Sequence, residues 1–380
     1  MEQKRLGDIA TYINGYAFKP EDRGSTGLPI IRIQDLTGNA YDLGFYDGKY
    51  PEKIEINDGD VLISWSASLG VYIWNRGKGL LNQHIFKVVF DKCEVNKQYF
   101  VFAVKYKLKE MELKTHGATM KHIVKKDFDN TVIPFPTVEK QADIAYILSK
   151  IESIVEFRQQ ELQQLDDLIK ARFVEMFGDM YLNSKGWPEA KLESMADVVS
   201  GITKGRKTKA EDLTEVPYMA VSNVKDGYID WTTVKTIEAT QQEIEQYRLL
   251  ADDVLMTEGG DPDKVGRGAI IKEPLENCIH QNHIFRVRLD ESMILPEFFA
   301  EYLQHQRSKR YFLGCAKQTT GIASINMTQL RALPVLMPPL SKQEEFVLFK
   351  AQVNKSKVAV QKALDETQLL FDSLMQEYFG

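Results

Sequence analysis

Two stretches of the chain carry apolar residues at alternating spacings of four and three, which is typical of helices packed along a partner helix. They cover residues 144–176 and 346–378, each after a proline-containing breaker and each followed by a glycine, Gly178 or Gly380. Proline at the start and glycine at the end mark helix termini. We therefore predict two helices of about 40 residues, roughly 60 Å long, that pair antiparallel. The predicted seam consists of Ile144, Leu148, Ile151, Val155, Leu162, Leu165, Ile169, Phe346, Val353, Val360, Leu364, Phe371 and Leu374.

The region before each predicted helix has a different pattern. Short apolar runs rich in Ile, Val, Tyr and Phe are separated by Gly, Asn and Asp. This arrangement favours strands and loops with a few helices. The chain is thus predicted to contain a region of strands, loops and short helices, which we call a head, followed by a long helix. This arrangement occurs twice.

The two halves also share phrases in the same order. NQHIFKV at 82–88 corresponds to NHIFRVR at 282–288, which follows Gln281, and GDVLIS at 59–64 corresponds to DDVLMT at 252–257. The other pairs are RLGDIA at 5–10 with KLESMA at 191–196, LPIIRIQDL at 28–36 with VPYMAVSNV at 216–224, IPFPTVEKQADI at 133–144 with LMPPLSKQEEF at 336–346, and VEMFG at 174–178 with QEYFG at 376–380. Chance does not preserve so many landmarks in order, so the chain is a tandem duplication.

This repeat divides the chain into four predicted segments. They are a first head at 1–138, a helix and linker at 139–186, a second head at 187–340 and a second helix at 341–380. No apolar run approaches the roughly 20 residues of a membrane helix, and the N-terminus lacks a secretory apolar core. The three cysteines are widely spaced, which favours reduced thiols and a cytoplasmic protein.

The net charge of −6 argues against a dedicated nucleic-acid binder, since phosphate binding depends on Lys and Arg. Local basic clusters nevertheless occur. Lys204, Arg206 and Lys207 lie in the glycine-broken loop GITKGRKTK, and Lys121 lies in a lysine-rich stretch at the end of the first head. Such clusters follow a phosphate backbone or simply form a solvated face.

Reading bases requires forked or bidentate side chains. Residues of this kind recur at matching places in the two copies. They are Arg32, Gln34, Gln83 and His84 in the first copy, and Asn223, Gln281, Asn282 and His283 in the second. Gln318 and Thr319 add a polar loop to the second copy, opposite residues 116–119 of the first. A structural role for the histidines is the alternative interpretation.

Two groups of residues suggest other chemistry. Asp261, Asp263 and Lys264 loosely match a metal-dependent nuclease, and Cys278-x-His280-x-x-His283 suggests a metal cluster. The equivalent interval of the first copy, SWSASLGVY, has no acidic residue, and its histidine phrase offers only His84. A role needed by the module would appear in both copies, so the solvent loop and the strand are the better interpretations.

The whole chain resembles the specificity subunits of type I restriction–modification systems. The similarity rests on the double architecture and on RLGDIA, YINGYAFKP at 12–20, LPIIRIQDL, GDVLIS, NQHIF, and IPFPTVEKQADIAYIL before a heptad helix ending in VEMFGD. It implies an α+β fold of two tandem α/β target recognition domains. These would be joined by two long helices in an antiparallel coiled coil with pseudo-two-fold symmetry.

The resemblance also implies a function. Each recognition domain would read half of a gapped, bipartite site in double-stranded DNA, through loops at Arg32 to Asp35 and Ser64 to Ser68, and at Ser222 to Lys225 and Glu258 to Arg267. This adds Asp35, Ser64, Trp65, Ser66, Lys225 and Arg267 to the candidate DNA contacts. The chain itself would be non-catalytic and bind no cofactor.

Partner subunits would supply the chemistry. The resemblance implies two methyltransferase subunits that use S-adenosylmethionine to methylate adenine, and leaves open restriction subunits that use ATP and magnesium. Two alternatives remain at this point. One is an orphan double-headed DNA-binding or regulatory protein without methyltransferase partners. The other is a nuclease built on Asp261, Asp263 and Lys264.

Overall fold

The computed structural model describes residues 2–39, 42–114, 123–206, 212–261, 264–319 and 321–380. Two compact units make up this structure. The first unit contains residues 1–161 and 360–380, and the second unit contains residues 162–359. Three predicted site residues, Lys121, Lys207 and Asp263, lie outside the described residues.

The first unit is built on sheets of short strands. Its elements are β1 Gln3–Arg5, α1 Leu6–Ile9, β2 Thr11–Asn14, β3 Leu28–Ile31, α2 Ile33–Thr37, β4 Phe45–Tyr46, β5 Glu55–Ile56, β6 Val61–Ser64, β7 Gly70–Ile73, β8 Gly79–Leu81, β9 Ile85–Val89, α3 Lys97–Lys114, α4 Lys125–Asp129, β10 Val132–Pro134 and the first part of α5 Val138–Phe177. The order β2-β9-β6-β7 forms an antiparallel sheet, and β4-β3-β8-β5 forms a mixed one.

The second unit repeats this plan. Its elements are β11 Glu189–Lys191, β12 Ala196–Ser200, β13 Thr214–Met219, β14 Lys235–Ala239, α6 Gln241–Tyr247, β15 Val254–Thr257, β16 Gly259–Gly260, β17 Gly268–Ile270, β18 Ile279–His280, β19 Ile284–Leu289, α7 Pro296–Gln304, α8 Gln306–Cys315, β20 Lys317–Thr319, β21 Ile322–Ser324, α9 Met327–Arg331, β22 Pro334–Leu336 and part of α10 Leu340–Phe379. The order β12-β19-β15-β17 matches β2-β9-β6-β7.

Register confirms the duplication residue by residue. Val88 of β9 lies opposite Val61 of β6, and Val287 of β19 lies opposite Val254 of β15. All four are buried, as the alternation of apolar residues predicts for the core face of a sheet. The predicted phrases GDVLIS and DDVLMT therefore form equivalent central strands.

Both predicted long helices are present, and they pair antiparallel in each unit. In the first unit, Leu148 near the start of α5 shares a buried cluster with Phe379 at the end of α10. In the second unit, ion pairs join Asp166 to Lys357 and Arg172 to Glu345, so residue numbers rise along one helix and fall along the other. Every predicted seam position is buried or half-buried, as a shared apolar seam requires.

The compact units do not follow the predicted boundaries between heads and helices. Each helix contributes residues to both units, because its apolar seam also packs on the cores of the heads. Phe379 contacts Tyr99 of α3 with ring centroids 5.2 Å apart, and Phe177 contacts Phe298 of α7 at 4.9 Å. A heptad pattern identifies the helices but does not show which head they pack on.

A buried glutamine fixes the start of each long helix in the same way. Gln141 donates to the carbonyl of Pro136 and accepts from the backbone N–H of Asn96, at 2.9 Å each. Gln343 donates to Pro338 at 2.8 Å and accepts from the N–H of Leu295 at 2.8 Å. Both side chains are fully buried, so these bonds satisfy polar groups that water cannot reach.

None of the helices in the described ranges combines the length and apolar character needed to cross a membrane.

Candidate DNA interface

The recurring histidine phrase lies where strands β9 and β19 begin. In the first unit, the N–H of Gln83 donates to the carbonyl of Tyr16 at 2.9 Å, and the N–H of Tyr16 donates to Leu81 at 2.8 Å. In the second, the N–H of Asn282 donates to Ile202 at 3.0 Å, and Ile202 donates to His280 at 2.8 Å. These bonds hold the Gln-His and Asn-His pairs at the same edge of equivalent sheets.

Close approach of backbone makes a glycine necessary beside each phrase. A Cβ on Gly15 would lie 2.0 Å from the carbonyl oxygen of Asn82, and one on Gly201 would lie 1.9 Å from that of His280. No side chain fits at either position. The glycines of YINGYAF and VVSGITK therefore hold the preceding segment against the histidine phrase.

In the first unit, four predicted DNA contacts meet at one concavity. Arg32, Gln34, Gln83 and His84 line a pocket of about 360 Å³. Its other lining residues are Ile33, Thr37, Asn39, Ala67, Ser68 and Asn82. Eight of the ten lining residues have polar side chains, which suit contact with the edges of bases.

Thr37 and Asn39 were not singled out from the sequence. The signal that could have found them is the turn-forming run TGN at 37–39, which begins three residues after the predicted Gln34.

Arg32 and Asp35 hold the loop of this pocket in place. The Asp35 carboxylate accepts from the backbone N–H of Arg32 at 2.8 Å and from its Nε at 3.2 Å. The Arg32 guanidinium also donates to the carbonyl of Asp42. Asp35 is buried and is the third residue of α2, so its bond to the backbone of the N-cap residue Arg32 forms part of the capping of this helix.

The predicted loop Ser64 to Ser68 is partly inside the unit. Ser64 is fully buried, and its hydroxyl donates to the carbonyl of Ser68 at 2.6 Å. Ser66 is also buried. Trp65 stacks on Phe86 with ring centroids 5.5 Å apart, and its Nε1 donates to Asn14 at 3.3 Å. Ser68 is the exposed polar residue of this loop.

Asn223 of the second unit is the structural equivalent of Asp35. Its Oδ1 accepts from the N–H of Ala220 at 2.9 Å, and its amide donates to the carbonyls of Asp230 at 2.9 Å and Thr233 at 3.2 Å. The side chain is buried and these bonds occupy it. It does not enter the interface that we propose.

The basic loop of the second unit divides into an exposed and a paired residue. Lys204 is exposed. Arg206 forms a forked pair with Glu243, with distances of 2.5 Å from Nε and 2.6 Å from Nη2. The Arg206 guanidinium lowers the pKa of Glu243 to about 2, since it favours the charged carboxylate. Arg206 therefore anchors this loop to α6.

The remaining candidates of the second unit lie near the phrase. Gln281 accepts from the N–H of Val221 at 3.4 Å, and Lys225 lies 3.8 Å from Asp230. Arg267 is half-buried in the turn before β17. The backbone of Gln318 and Thr319 forms strand β20, which pairs with β21. Asn282 is half-buried and His283 is exposed.

The residues that suggested a metal cluster or a nuclease have contacts within the protein itself. His280 is fully buried with its ring nitrogens facing the carbonyls of Tyr247 at 3.1 Å and Val199 at 3.4 Å, and burial lowers its pKa to about 4. Burial raises the pKa of the Cys278 thiol to about 12. Asp261 forms an ion pair with Lys264. No cluster of three metal-ligating side chains occurs in the part of the chain that is described.

A larger pocket of the first unit lies away from these loops. It has a volume of about 530 Å³ between α3, α5 and α10, and its floor includes Val155, Phe371 and Met375. It contains none of the predicted DNA contacts and belongs to the helical part of the unit.

Comparison with known proteins gives one consistent family. The family described as the type I restriction modification DNA specificity domain matches residues 1–167 and 184–366. The chain is 22% identical to the EcoBI type I restriction enzyme specificity subunit of Escherichia coli, over 98% of this chain and 83% of the relative. It is 23% identical to the EcoKI specificity subunit of Escherichia coli strain K12, over 98% and 86%.

Solved structures share the fold. The type I restriction–modification S subunit of M. genitalium aligns with a TM-score of 0.56 and 14% identity, over 100% of this chain and 96% of that one. A chain from a structural study of complex assembly and conformational transition of the type I system aligns with a TM-score of 0.59 and 15% identity, over 99% and 96%. The chain thus belongs to the type I restriction–modification DNA specificity family, as its repeated phrases predicted.

Proposed function

We propose that this chain is the non-catalytic DNA specificity subunit of a cytoplasmic type I restriction–modification complex and reads a bipartite, gapped target. The observation that carries the proposal is the pair of equivalent, polar strand entrances, each at a separate unit of the family fold. In the first unit this surface contains Gln34, Gln83 and His84. In the second it contains Asn282 and His283, and the exposed Lys204 follows two residues after Ile202, whose carbonyl accepts from the N–H of Asn282.

Amide and imidazole groups at these places suit the donor and acceptor pattern of the major groove. The acidic total charge limits the grip of the chain on phosphates. Affinity for DNA therefore depends on partner subunits, which we propose are two methyltransferase subunits that carry S-adenosylmethionine. A restriction subunit with ATP and magnesium joins this complex where the system cuts DNA.

The long helices offer surface for those partners. Large apolar side chains on α5 and α10 are exposed by about two thirds: Tyr146 65%, Phe157 67%, Leu348 67%, Val358 70% and Leu369 72%. Burying exposed apolar side chains of this size against a partner favours association. We propose that methyltransferase subunits dock here. Phe157→Ser with Leu369→Ser should reduce copurification with the methyltransferase subunit, whereas Glu276→Gln, an exposed position on the second head, should not.

A modified-base map of the source genome, with and without this gene, tests the proposed function. Loss of adenine methylation at one motif with two specified halves and an unspecified gap is the expected result. An unchanged map in a strain whose methyltransferase subunit is expressed and active would contradict the proposal.

A further inference from the structure

The recurring histidine has the same backbone environment in both units. The carbonyl of His84 accepts from the N–H of Trp65 at 3.2 Å, and that of His283 accepts from the N–H of Glu258 at 3.0 Å. Trp65 and Glu258 follow equivalent strands, β6 and β15. In each unit the side chain at this position contacts the histidine ring. The scaffold is therefore constant, and the chemistry of one neighbour differs.

In the second unit a carboxylate fixes the proton of the ring. Glu258 Oε2 lies 2.5 Å from Nδ1 of His283. An ionised carboxylate only accepts hydrogen bonds, so Nδ1 is the donor. When the ring is neutral, its lone pair is therefore on Nε2. The amide nitrogen of Asn282 lies 3.5 Å from Nε2, beyond the usual hydrogen-bond distance, so the lone pair stays open to a closer donor. His283, with its side chain 55% exposed, thus presents an acceptor.

In the first unit an aromatic ring replaces the carboxylate. The Trp65 and His84 rings meet edge to face, with centroids 4.9 Å apart. Nδ1 of His84 is buried and has no hydrogen-bond partner among the residues that the structure describes. A buried N–H without an acceptor is rare in folded proteins. The proton is therefore placed on Nε2, and His84 presents a donor to the pocket that it lines.

We propose that the residue at the Trp65 and Glu258 position sets the hydrogen-bonding polarity of the recurring histidine, so that the two units read opposite groups on DNA. This inference rests on the proposed function. His283 accepts from the exocyclic amino group of adenine or cytosine, the donors of the major groove. His84 donates to an acceptor, which is N7 of a purine, O6 of guanine or O4 of thymine. Trp65 and Glu258 act as positioning residues.

Single-group deletions in the DNA test the wild-type chain directly. The complex of the chain with its methyltransferase subunits is titrated with target DNA in which one base at a time lacks a donor or an acceptor. Purine for adenine and 2-pyrimidinone for cytosine delete the amino groups. Seven-deazapurines, 2-aminopurine for guanine and 4-thiothymine delete or weaken the acceptors.

The expected result is opposite in the two half-sites. In the half-site of the second unit, deletion of one amino group weakens binding about three- to tenfold, the contribution of one hydrogen bond, and His283→Ala abolishes this sensitivity. In the half-site of the first unit, deletion of one acceptor has an effect of similar size that His84→Ala abolishes.

A near-isosteric variant separates positioning from folding. Glu258→Gln keeps the shape, but its amide can donate to Nδ1 and place the ring proton on Nε2. The complex should then lose sensitivity to the deleted amino group, while Glu276→Gln, an exposed glutamate of the same unit, should retain it. This comparison also decides the matter if a histidine variant fails to fold.

Two results would overturn the inference. One is that the loss of binding caused by deleting an acceptor from the DNA depends on His283, or that the loss caused by deleting an amino group depends on His84. The other is equal sensitivity of wild type and histidine variants to every analogue. Either result leaves a bipartite motif in place, whereas failure of the proposed function would remove the motif itself.

Discussion

The first and second units have the same supporting contacts but differ at the surface proposed to read DNA. Asp35 and Asn223 cap equivalent turns, and Gln141 and Gln343 fix equivalent helix starts. By contrast, the residue beside the recurring histidine is an indole in one unit and a carboxylate in the other. A duplicated scaffold can therefore acquire two specificities while it keeps these supporting hydrogen bonds.

The largest expected effect comes from exchanging a whole head. Replacing residues 1–138 with the first head of another family member should change one complete half of the DNA target and leave the other half and its methylation intact. The reason is that the polar strand entrances belong to separate units. A modified-base map of cells carrying the chimera gives the result directly. Loss of both halves with a normally folded chimera would refute this independence.

The next effect concerns the phenylalanine that ends each helix. Phe379 packs on Tyr99 in the first unit and Phe177 packs on Phe298 in the second, and both are fully buried. Replacing either with alanine should lower the free energy of unfolding by about 3–5 kcal/mol. Hydrogen exchange should locate the loss in the unit that holds the altered residue. Spread of the loss evenly over both units would contradict the division.

Replacing the aspartate of an equivalent ion pair should cause a smaller loss of stability, and this loss should differ between the two units. Asp253 of the second unit is fully buried at its side chain and forms a forked pair with Arg288, at 2.7 and 2.8 Å. The equivalent Asp60 is 24% exposed and pairs with Lys87 at 2.8 Å. Asp253→Asn should cost about 3 kcal/mol and Asp60→Asn about 1 kcal/mol, as measured by urea unfolding. Equal costs would show that burial does not control these pairs.

The duplication, the heads of strands and short helices, and the paired long helices could be predicted because each produces a periodic or repeated pattern in the sequence. Heptad spacing identified α5 and α10, and the repeated phrases identified equivalent strands. Residue roles were harder to predict. Asn223 and Arg206 have base-reading and phosphate-binding chemistry, yet one is a buried cap and the other is paired with Glu243. Asn223 bonds to backbone groups of nearby residues, and the partner of Arg206 lies 37 residues along the chain. Residue type and local spacing do not show either contact.

The residue beside the recurring histidine could not be singled out from the sequence either. Trp65 and Glu258 follow matching strand phrases, but they share no chemistry, so a search for repeated residue types passes over the position. The backbone bonds from Trp65 to His84 and from Glu258 to His283 show that both residues lie beside the recurring histidine. Residues that distinguish the two units are therefore found by comparing equivalent positions in the structure. Residues that support both units are found by comparing residue types in the sequence.

The smallest expected effect is a pH dependence that comes from the ion pair of Arg206 with Glu243 in the second unit. Arg206 lowers the pKa of Glu243 to about 2, below the usual 4.5. The pair therefore adds stability that is fully present above about pH 4.5 and is lost as the pH falls toward 2. The Glu243→Gln variant should be less stable than wild type by about 1 kcal/mol at pH 7. In urea unfolding this difference should shrink below pH 4.5. A difference that stays constant to pH 3 would mean that Glu243 acts through packing rather than charge, and Glu276→Gln, which alters an exposed carboxylate, supplies the baseline.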